Sequence, residues 1–170
     1  SCIRTMGHIY KSRGNFDLSA QYYQEALDYM LKNMPDQDPS QLYSSLAEYY
    51  RNTQKDYATA LDYCEKALKS AKTERNIAQA MIEKCLVLFR QGRIDEFNDC
   101  YKEAVQMADR CKLSASVSLL IAHISKNILD KQYEQAHAHA DQLSEKGLQQ
   151  HAYIYECAKD YPNAIKYLKK

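Results

Sequence analysis

The sequence contains little glycine and proline and no tryptophan. Four glycines and three prolines in 170 residues are too few for the many tight turns of an all-β fold, and they favour long helices joined by short connections. Acidic and basic side chains nearly cancel, at a formal net charge of +1, so no direct nucleic acid contact is expected. No apolar run approaches the roughly 20 residues that span a bilayer, so no membrane insertion by this segment is expected.

The sequence also lacks the usual signatures of catalysis. It has no glycine-rich phosphate loop, no Gly-x-Ser-x-Gly turn and no His-Glu-x-x-His pair. His137 and His139 are two positions apart, and on a helix such side chains point about 200° apart, so they cannot share a metal ion. We therefore predict that the chain is not an enzyme and has no metal and no cofactor.

None of the six cysteines forms a Cys-x-x-Cys pair or a paired Cys/His zinc pattern. Five lie beside apolar or aromatic neighbours at helical spacing, which is typical of small buried hydrophobic side chains. Unpaired thiols favour a reducing compartment and hence a cytoplasmic location; the alternative is the periplasmic part of a membrane-anchored sensor. The cysteines are Cys2, Cys64, Cys85, Cys100, Cys111 and Cys157.

One pattern recurs along the chain. In its full form an aromatic or apolar residue ends a short polar turn, a small residue follows three positions later, an aromatic or apolar residue four after that, and Ala three further on. Small residues let two helices approach closely, and aromatic side chains fill the space between neighbouring hairpins. The copies are Gly14-Asn15-Phe16, Ser19, Tyr23, Ala26; Lys55-Asp56-Tyr57, Ala60, Cys64, Ala67; Gly92-Arg93-Ile94, Phe97, Tyr101, Ala104; Lys131-Gln132-Tyr133, Ala136, Ala140, Leu143; and Lys159-Asp160-Tyr161, Ala164, Leu168.

This pattern resembles the tetratricopeptide repeat family, whose unit is a pair of antiparallel helices. The match is good in the first two copies, partial in the third, where Phe97 takes the small position, and weak in the last two. The resemblance implies an all-α fold, a right-handed α-solenoid of about four to five helix-turn-helix hairpins. The expected units are 1–32, 39–72, 75–111, 114–146 and 149–170, with helices at about 1–12, 16–32, 39–53, 57–72, 75–91, 94–111, 114–130, 133–146, 149–158 and 161–170.

The spacing of the copies differs from the family's unit of about 34 residues. The small position recurs at intervals of 41, 37, 39 and 28 residues. Residues 33–37 are predicted to form a loop, followed by a helix with Asp38 as its cap, Pro39 at its first position and Gln41 completing a capping box. The last interval indicates either a shortened hairpin or a wrong register. Neither end resembles a polar cap, so we expect one array, cut from a longer protein.

The first helix of each hairpin, the A helix, lines the concave surface in this family. The resemblance therefore implies a peptide-binding groove that is basic and polar at its N-terminal side and apolar further on. A partner segment with an acidic or carboxylate-bearing end and apolar anchors would suit such a groove. The expected groove residues are Arg4, His8, Lys11, Ser44, Glu48, Arg51, Asn52, Ile82, Leu86, Phe89, Arg90, Ile121, Ser125 and Ile128.

Two details of this groove stay open. The family's carboxylate clamp uses Lys and Asn on the first two A helices, but here Arg4 takes the Lys position, His8 replaces the first Asn and Glu48 adds negative charge, so a clamp is not expected. The apolar side chains Ile82, Leu86 and Phe89 either form an exposed binding patch or pack against a neighbouring hairpin.

A row of lysines, Lys66, Lys69 and Lys72, follows one helix face and suggests nucleic-acid binding. It alternates with Glu65 and Glu74 and has no exposed aromatic residues between its members, which favours a solvated outer face.

Two functions fit these observations. The first is a protein–protein interaction scaffold that binds a peptide or helix of a partner protein in the groove. The alternative is a sensory or regulatory segment of a larger bacterial signalling protein, because tyrosine-rich repeats near forty residues are similar to those attached to histidine kinases and helix-turn-helix regulators. In proteins of that kind the array transmits ligand binding or dimerisation to an attached effector domain. If the alternative holds, this chain is therefore expected to form a homodimer.

Overall fold

A computed structural model describes residues 2–113, 116–143 and 147–168, and within these ranges the chain is helical without any strand. A π-helical turn, Tyr50–Gln54, continues the third helix directly. The helices are α1 (Cys2–Ser12), α2 (Phe16–Asn33), α3 (Ser40–Tyr49), α4 (Tyr57–Ser70), α5 (Glu74–Arg90), α6 (Ile94–Arg110), α7 (Val117–Leu129), α8 (Tyr133–Ala140), α9 (Gly147–Cys157) and α10 (Tyr161–Leu168).

Consecutive helices pack in pairs, α1 on α2, α3 on α4, α5 on α6, α7 on α8 and α9 on α10. This arrangement confirms the predicted all-α fold of tetratricopeptide-like hairpins. The chain divides into two compact units, residues 1–111 and 112–170. The first unit holds α1 to α6 and the second unit holds α7 to α10, and each is described by itself below.

The same turn opens the second helix of every hairpin. Two positions before that helix begins, the backbone is in the left-handed region, where glycine is the least strained residue. In the fifth copy this residue is Lys159, at φ 62°, so the register of the 28-residue interval is correct. The five residues are Gly14, Lys55, Gly92, Lys131 and Lys159.

The small positions of the repeat lie at helix crossings, as the pattern predicts. Ser19, Ala60, Phe97, Ala136 and Ala164 are all buried. The closest approach is at Gly7 in α1, where an added Cβ would lie 2.6 Å from the Tyr23 ring. The Ser19 hydroxyl also donates a hydrogen bond to the Gly7 carbonyl, at 2.8 Å.

Two predicted helix ends differ from the structure. α8 ends at Ala140, not at 146, and α9 begins at Gly147; residues 144–146 lie outside the described residues. The eight-residue α8 accounts for the short interval between the last two copies.

The capping box predicted at α3 is wrong. Asp38 does accept a hydrogen bond from the Ser40 N–H, at 2.9 Å. Gln41, however, donates its side-chain amide to Asn76 of α5 instead of turning back to Asp38. Asp38 also accepts from the Lys72 N–H and the Asn76 amide, at 2.8 and 2.9 Å. The loop 34–39 is therefore bound to the start of α5 rather than to its own helix alone.

No helix in the described part of the chain is both long enough and apolar enough to cross a membrane.

Candidate functional site

Two ion pairs connect the A helices of the first unit, α1, α3 and α5. The Lys11 ammonium of α1 pairs with Glu48 of α3. The Arg51 Nε, in the π-helical turn, donates to Glu83 Oε1 of α5 at 2.6 Å. These contacts place three successive A helices side by side, and we call the surface they share the A-helix face.

The second ion pair is buried. The Arg51 and Glu83 side chains are 5% and 6% exposed, and Arg51 also donates from Nη1 to the Asn52 side-chain oxygen at 2.8 Å. Burial alone would lower the pKa of Arg51, but the Glu83 carboxylate outweighs it and raises that pKa. Burial raises the pKa of Glu83, against the opposing charge of Arg51. The buried Arg51 guanidinium therefore joins the π-helical turn to α5 and is not accessible on the A-helix face.

The π-helical turn explains how Arg51 reaches this position. A π-helical turn changes the rotation of the following residues relative to a regular α-helix. The π-helical turn begins at Tyr50, directly after α3, and runs to Gln54. Lys55 closes it in the left-handed conformation, with its N–H bonded to the Tyr50 carbonyl. Arg51 thus points at α5 while its neighbour Asn52 is exposed.

Other predicted groove residues of the first unit differ in exposure. The exposed ones are Arg4, His8, Asn52 and Arg90, and the half-buried ones are Lys11, Glu48 and Phe89. The structure therefore leaves a mainly basic and polar set accessible on the A-helix face.

The apolar members are mostly inside the first unit. Ile82 and Leu86 are 1% and 2% exposed, and Ser44 is buried too. Phe89 packs on Phe97 of α6, with ring centroids 5.6 Å apart. Ile82 and Leu86 are thus buried by packing of α5 on its neighbours, and they do not form an exposed binding patch.

The pKa of His8 is affected by the positive charges at one end of the A-helix face. Its Nδ1 lies 3.0 Å from the Tyr23 hydroxyl. Burial lowers the pKa of His8, and the cations Lys11 and Arg4 lower it further. Arg4 and Lys11 therefore both act on the His8 imidazole, and these three side chains form a basic corner on α1.

The predicted groove residues of the second unit are only partly accessible. Ile121 and Ile128 are half-buried against the cluster that contains Leu120 and Ile124. Ser125 is 4% exposed and donates to the Ile121 carbonyl at 2.9 Å.

Sequence reasoning missed a cluster of aromatic rings in the second unit. His137 and His151 stack with their Nδ1 atoms 2.6 Å apart, and His151 Nε2 lies 3.0 Å from Asp141 Oδ1. His139 instead stacks on His123, so His137 and His139 do engage different partners. Among the described residues no three His, Cys, Asp or Glu side chains are arranged to hold a metal ion.

The predicted lysine row, with Lys66 and Lys69 in α4 and Lys72 just after it, borders a surface pocket of about 500 Å³ in the first unit. Lys66 pairs with Asp62, and the Lys72 ammonium donates to the Asp36 carbonyl. These contacts, and the exposure of the three lysines, agree with a solvated face. The apolar part of the lining comes from Met30, Leu31, Met34 and Tyr43.

Comparison with known proteins identifies the repeat. Residues 1–73 match the family model of the tetratricopeptide repeat, and no curated protein matches the chain. The crystal structure of BtubC (BKLC) from P. vanneervenii is similar in fold, with a TM-score of 0.60 and 18% identity over 98% of this chain and 76% of that chain. Tetratricopeptide repeats generally mediate protein–protein interactions. Residues 1–73 are therefore tetratricopeptide repeats, and further helical hairpins follow them in the described part of the chain.

Proposed function

We propose that the chain is a protein–protein interaction scaffold and that its first unit binds an acidic segment of a partner protein along the A-helix face. The observation that carries this proposal is the distribution of charge. α1 contains Arg4 and Lys11 and no acid. The only acid of α3, Glu48, is paired with Lys11. Of the two acids of α5, Glu83 is buried on Arg51, and Glu74 lies in the first turn, at the other end of the helix from Arg90. The accessible side chains among the predicted groove residues are therefore basic or neutral, apart from the paired Glu48.

Arginine suits the recognition of carboxylates, because its planar guanidinium can donate two parallel hydrogen bonds. Arg4 on α1 and Arg90 on α5 are both exposed, and the exposed Asn52, in the π-helical turn after α3, offers an amide donor. Since Ile82 and Leu86 are buried, recognition rests on charge and hydrogen bonding, with half-buried Phe89 as the remaining apolar contact. A segment rich in Asp or Glu, extended or helical, fits this chemistry.

The test is charge reversal with a matched control. The double variant Arg4→Glu/Arg90→Glu should weaken binding of acidic partner peptides by about tenfold or more. The control Lys32→Glu/Lys69→Glu changes net charge equally on α2 and α4 and should bind like the wild type. Fluorescence polarisation with a panel of acidic, neutral and basic peptides measures this, and cross-linking maps the contact. Equal binding by both variants, or cross-links confined to α2 and α4, would contradict the proposal.

A further inference from the structure

Two cysteines of the first unit face each other across the third hairpin. Cys85 of α5 and Cys100 of α6 have their Sγ atoms 2.8 Å apart, and both are free thiols. Cys85 is fully buried, whereas Cys100 is half-buried on the second helix of the hairpin. Apolar and aromatic neighbours at helical spacing had predicted small buried hydrophobic side chains at the cysteines, without pairing any two of them. The packing of α5 on α6 makes them a pair.

We propose that Cys85 and Cys100 form a dithiol site that a hydroperoxide oxidises to a disulfide between α5 and α6. The thiols already touch, so the helices need not separate for the sulfur atoms to bond. Cys100 is the accessible member and is positioned to meet the oxidant first. Cys85, behind it, is shielded from solvent and is positioned to react only with Cys100.

The electrostatics of the pair give the two thiols different roles. The Cys85 thiol donates a hydrogen bond to Cys100 and so lowers the pKa of Cys100, and Lys84 acts in the same direction. The same hydrogen bond, together with burial, raises the pKa of Cys85. The thiolate is the nucleophile in such chemistry, so Cys100 attacks and Cys85 resolves.

The reaction proceeds in two balanced steps. The Cys100 thiolate attacks one peroxide oxygen, an S–O bond forms as the O–O bond breaks, and the released hydroxide takes a proton to become water. The Cys85 sulfur then attacks the Cys100 sulfenic acid, an S–S bond forms as the S–O bond breaks, and the leaving hydroxide takes the Cys85 proton as water. Two thiols and one peroxide thus give one disulfide and two waters.

A thiol-trapping experiment on the whole chain tests this site. Reduced protein is treated with hydrogen peroxide, unfolded in denaturant to expose the buried Cys85, alkylated with N-ethylmaleimide, digested without reductant and analysed by mass spectrometry. The expected result is the loss of two of the six free thiols together, with a peptide that links Cys85 to Cys100 and forms at a rate independent of protein concentration. A Cys100 linked to Cys64, or both thiols remaining alkylatable, would overturn the proposal.

Variants separate the two roles. Cys85→Ser should leave a sulfenic acid on Cys100 that dimedone captures, whereas Cys100→Ser should leave Cys85 reduced. Cys111→Ser, which removes another half-buried thiol of the first unit, should keep the linked peptide at the wild-type level. Sulfenic acid on Cys85 in the Cys100→Ser protein would contradict the assignment of Cys100 as the attacking thiol. The wild-type measurement decides the pairing even where a variant folds poorly.

Discussion

The two compact units use the same hairpin but place different ionisable groups between their helices. In the first unit the buried polar contact is the ion pair Arg51–Glu83, at 2.6 Å. In the second unit the polar contacts include rings, with His137 stacked on His151 and tilted against Tyr155. Arginine stays charged across the physiological range, whereas histidine changes charge near neutral pH. The repeat thus fixes the backbone and leaves the chemistry of the polar contacts free to vary.

The units also differ in helix length. The helices of the first unit span 10–18 residues and those of the second unit 8–13. Shorter helices bury less apolar surface, and burial supplies most of the stability of a helix in a protein. We therefore expect the second unit to open more easily and to respond more strongly to changes in its polar contacts.

The largest effect is expected from breaking the buried ion pair of the first unit. Arg51→Met leaves the Glu83 carboxylate buried without its partner, which should lower the free energy of unfolding by about 3–5 kcal/mol. Arg51→Met/Glu83→Leu replaces both charges by apolar groups and should recover most of the loss. Urea unfolding followed by circular dichroism measures both. A loss below about 1 kcal/mol for Arg51→Met would show a pair no stronger than an exposed one.

The next effect tests the close helix crossing of the first unit. Gly7→Ala places a Cβ against the Tyr23 ring, which is 2% exposed and cannot move aside freely. The expected cost is about 1–3 kcal/mol, despite the better helix propensity of Ala. The control Ile9→Ala changes an exposed position of the same helix and should alter stability by only about 0.5 kcal/mol. Thermal unfolding of both variants compares them, and an equal shift would rule out steric crowding.

The stability of the two units should respond differently to acid. Burial, followed by the charge of His151, lowers the pKa of His137 below its ordinary 6.5, and Asp141 opposes this. Burial also lowers the pKa of His139. A lowered pKa means that the unfolded chain binds more protons than the folded chain. The stability that depends on neutral His137 and His139 is therefore fully present above pH 6.5 and is lost as the pH falls through their folded pKa values.

Hydrogen exchange at pH 7 and pH 5 measures this difference by region. The amides of α8 and α9 should lose more protection than those of α1 and α2, where His8 is the one histidine with a lowered pKa. His137→Gln should reduce the pH dependence in the second unit, and His8→Gln should not. If the two substitutions had the same effect in the second unit, the stacked rings would not be the cause.

Asp38 should respond in a lower pH range, in the first unit only. Burial acts to raise the pKa of Asp38, but hydrogen bonds from Ser40, Lys72 and Asn76 outweigh it and lower the pKa to about 2. Its contribution is therefore present above about pH 4 and lost as the pH falls towards 2. Asp38→Ala should cost about 1 kcal/mol at pH 7 and flatten the acid limb of the stability curve. Unfolding between pH 5 and pH 2 measures this, and an unchanged acid limb would contradict it.

The smallest effect is expected at the surface of the second unit. Lys126 and Asp130 form an i, i+4 ion pair at the end of α7, with side chains 25% and 39% exposed. Such pairs contribute about 0.3–0.5 kcal/mol, so Lys126→Met should change stability by no more than this and should lose its effect at high salt. A loss of stability for Lys126→Met as large as that for Arg51→Met would contradict the expectation that buried ion pairs matter more than exposed ones.

Local features of the sequence determined the hairpins. The turn residues Gly14, Lys55, Gly92, Lys131 and Lys159 and the small positions three residues after each turn are set by short-range geometry, and the structure has them where the pattern predicted. Most helix ends followed within a few residues. α8 was the exception, because it ends at Ala140 and not at the predicted residue 146.

Tertiary structure decided which polar side chains meet. Arg51 and Glu83 are 32 residues apart, Cys85 and Cys100 are 15 apart, and His137 and His151 are 14 apart. Whether such residues touch depends on helix rotation, on the crossing of the hairpins and, for Arg51, on the π-helical turn. Spacing along the chain gives the face of a helix but not the position of the helix that packs against it, so the periodicity identified the repeat while only the packed helices brought these pairs together.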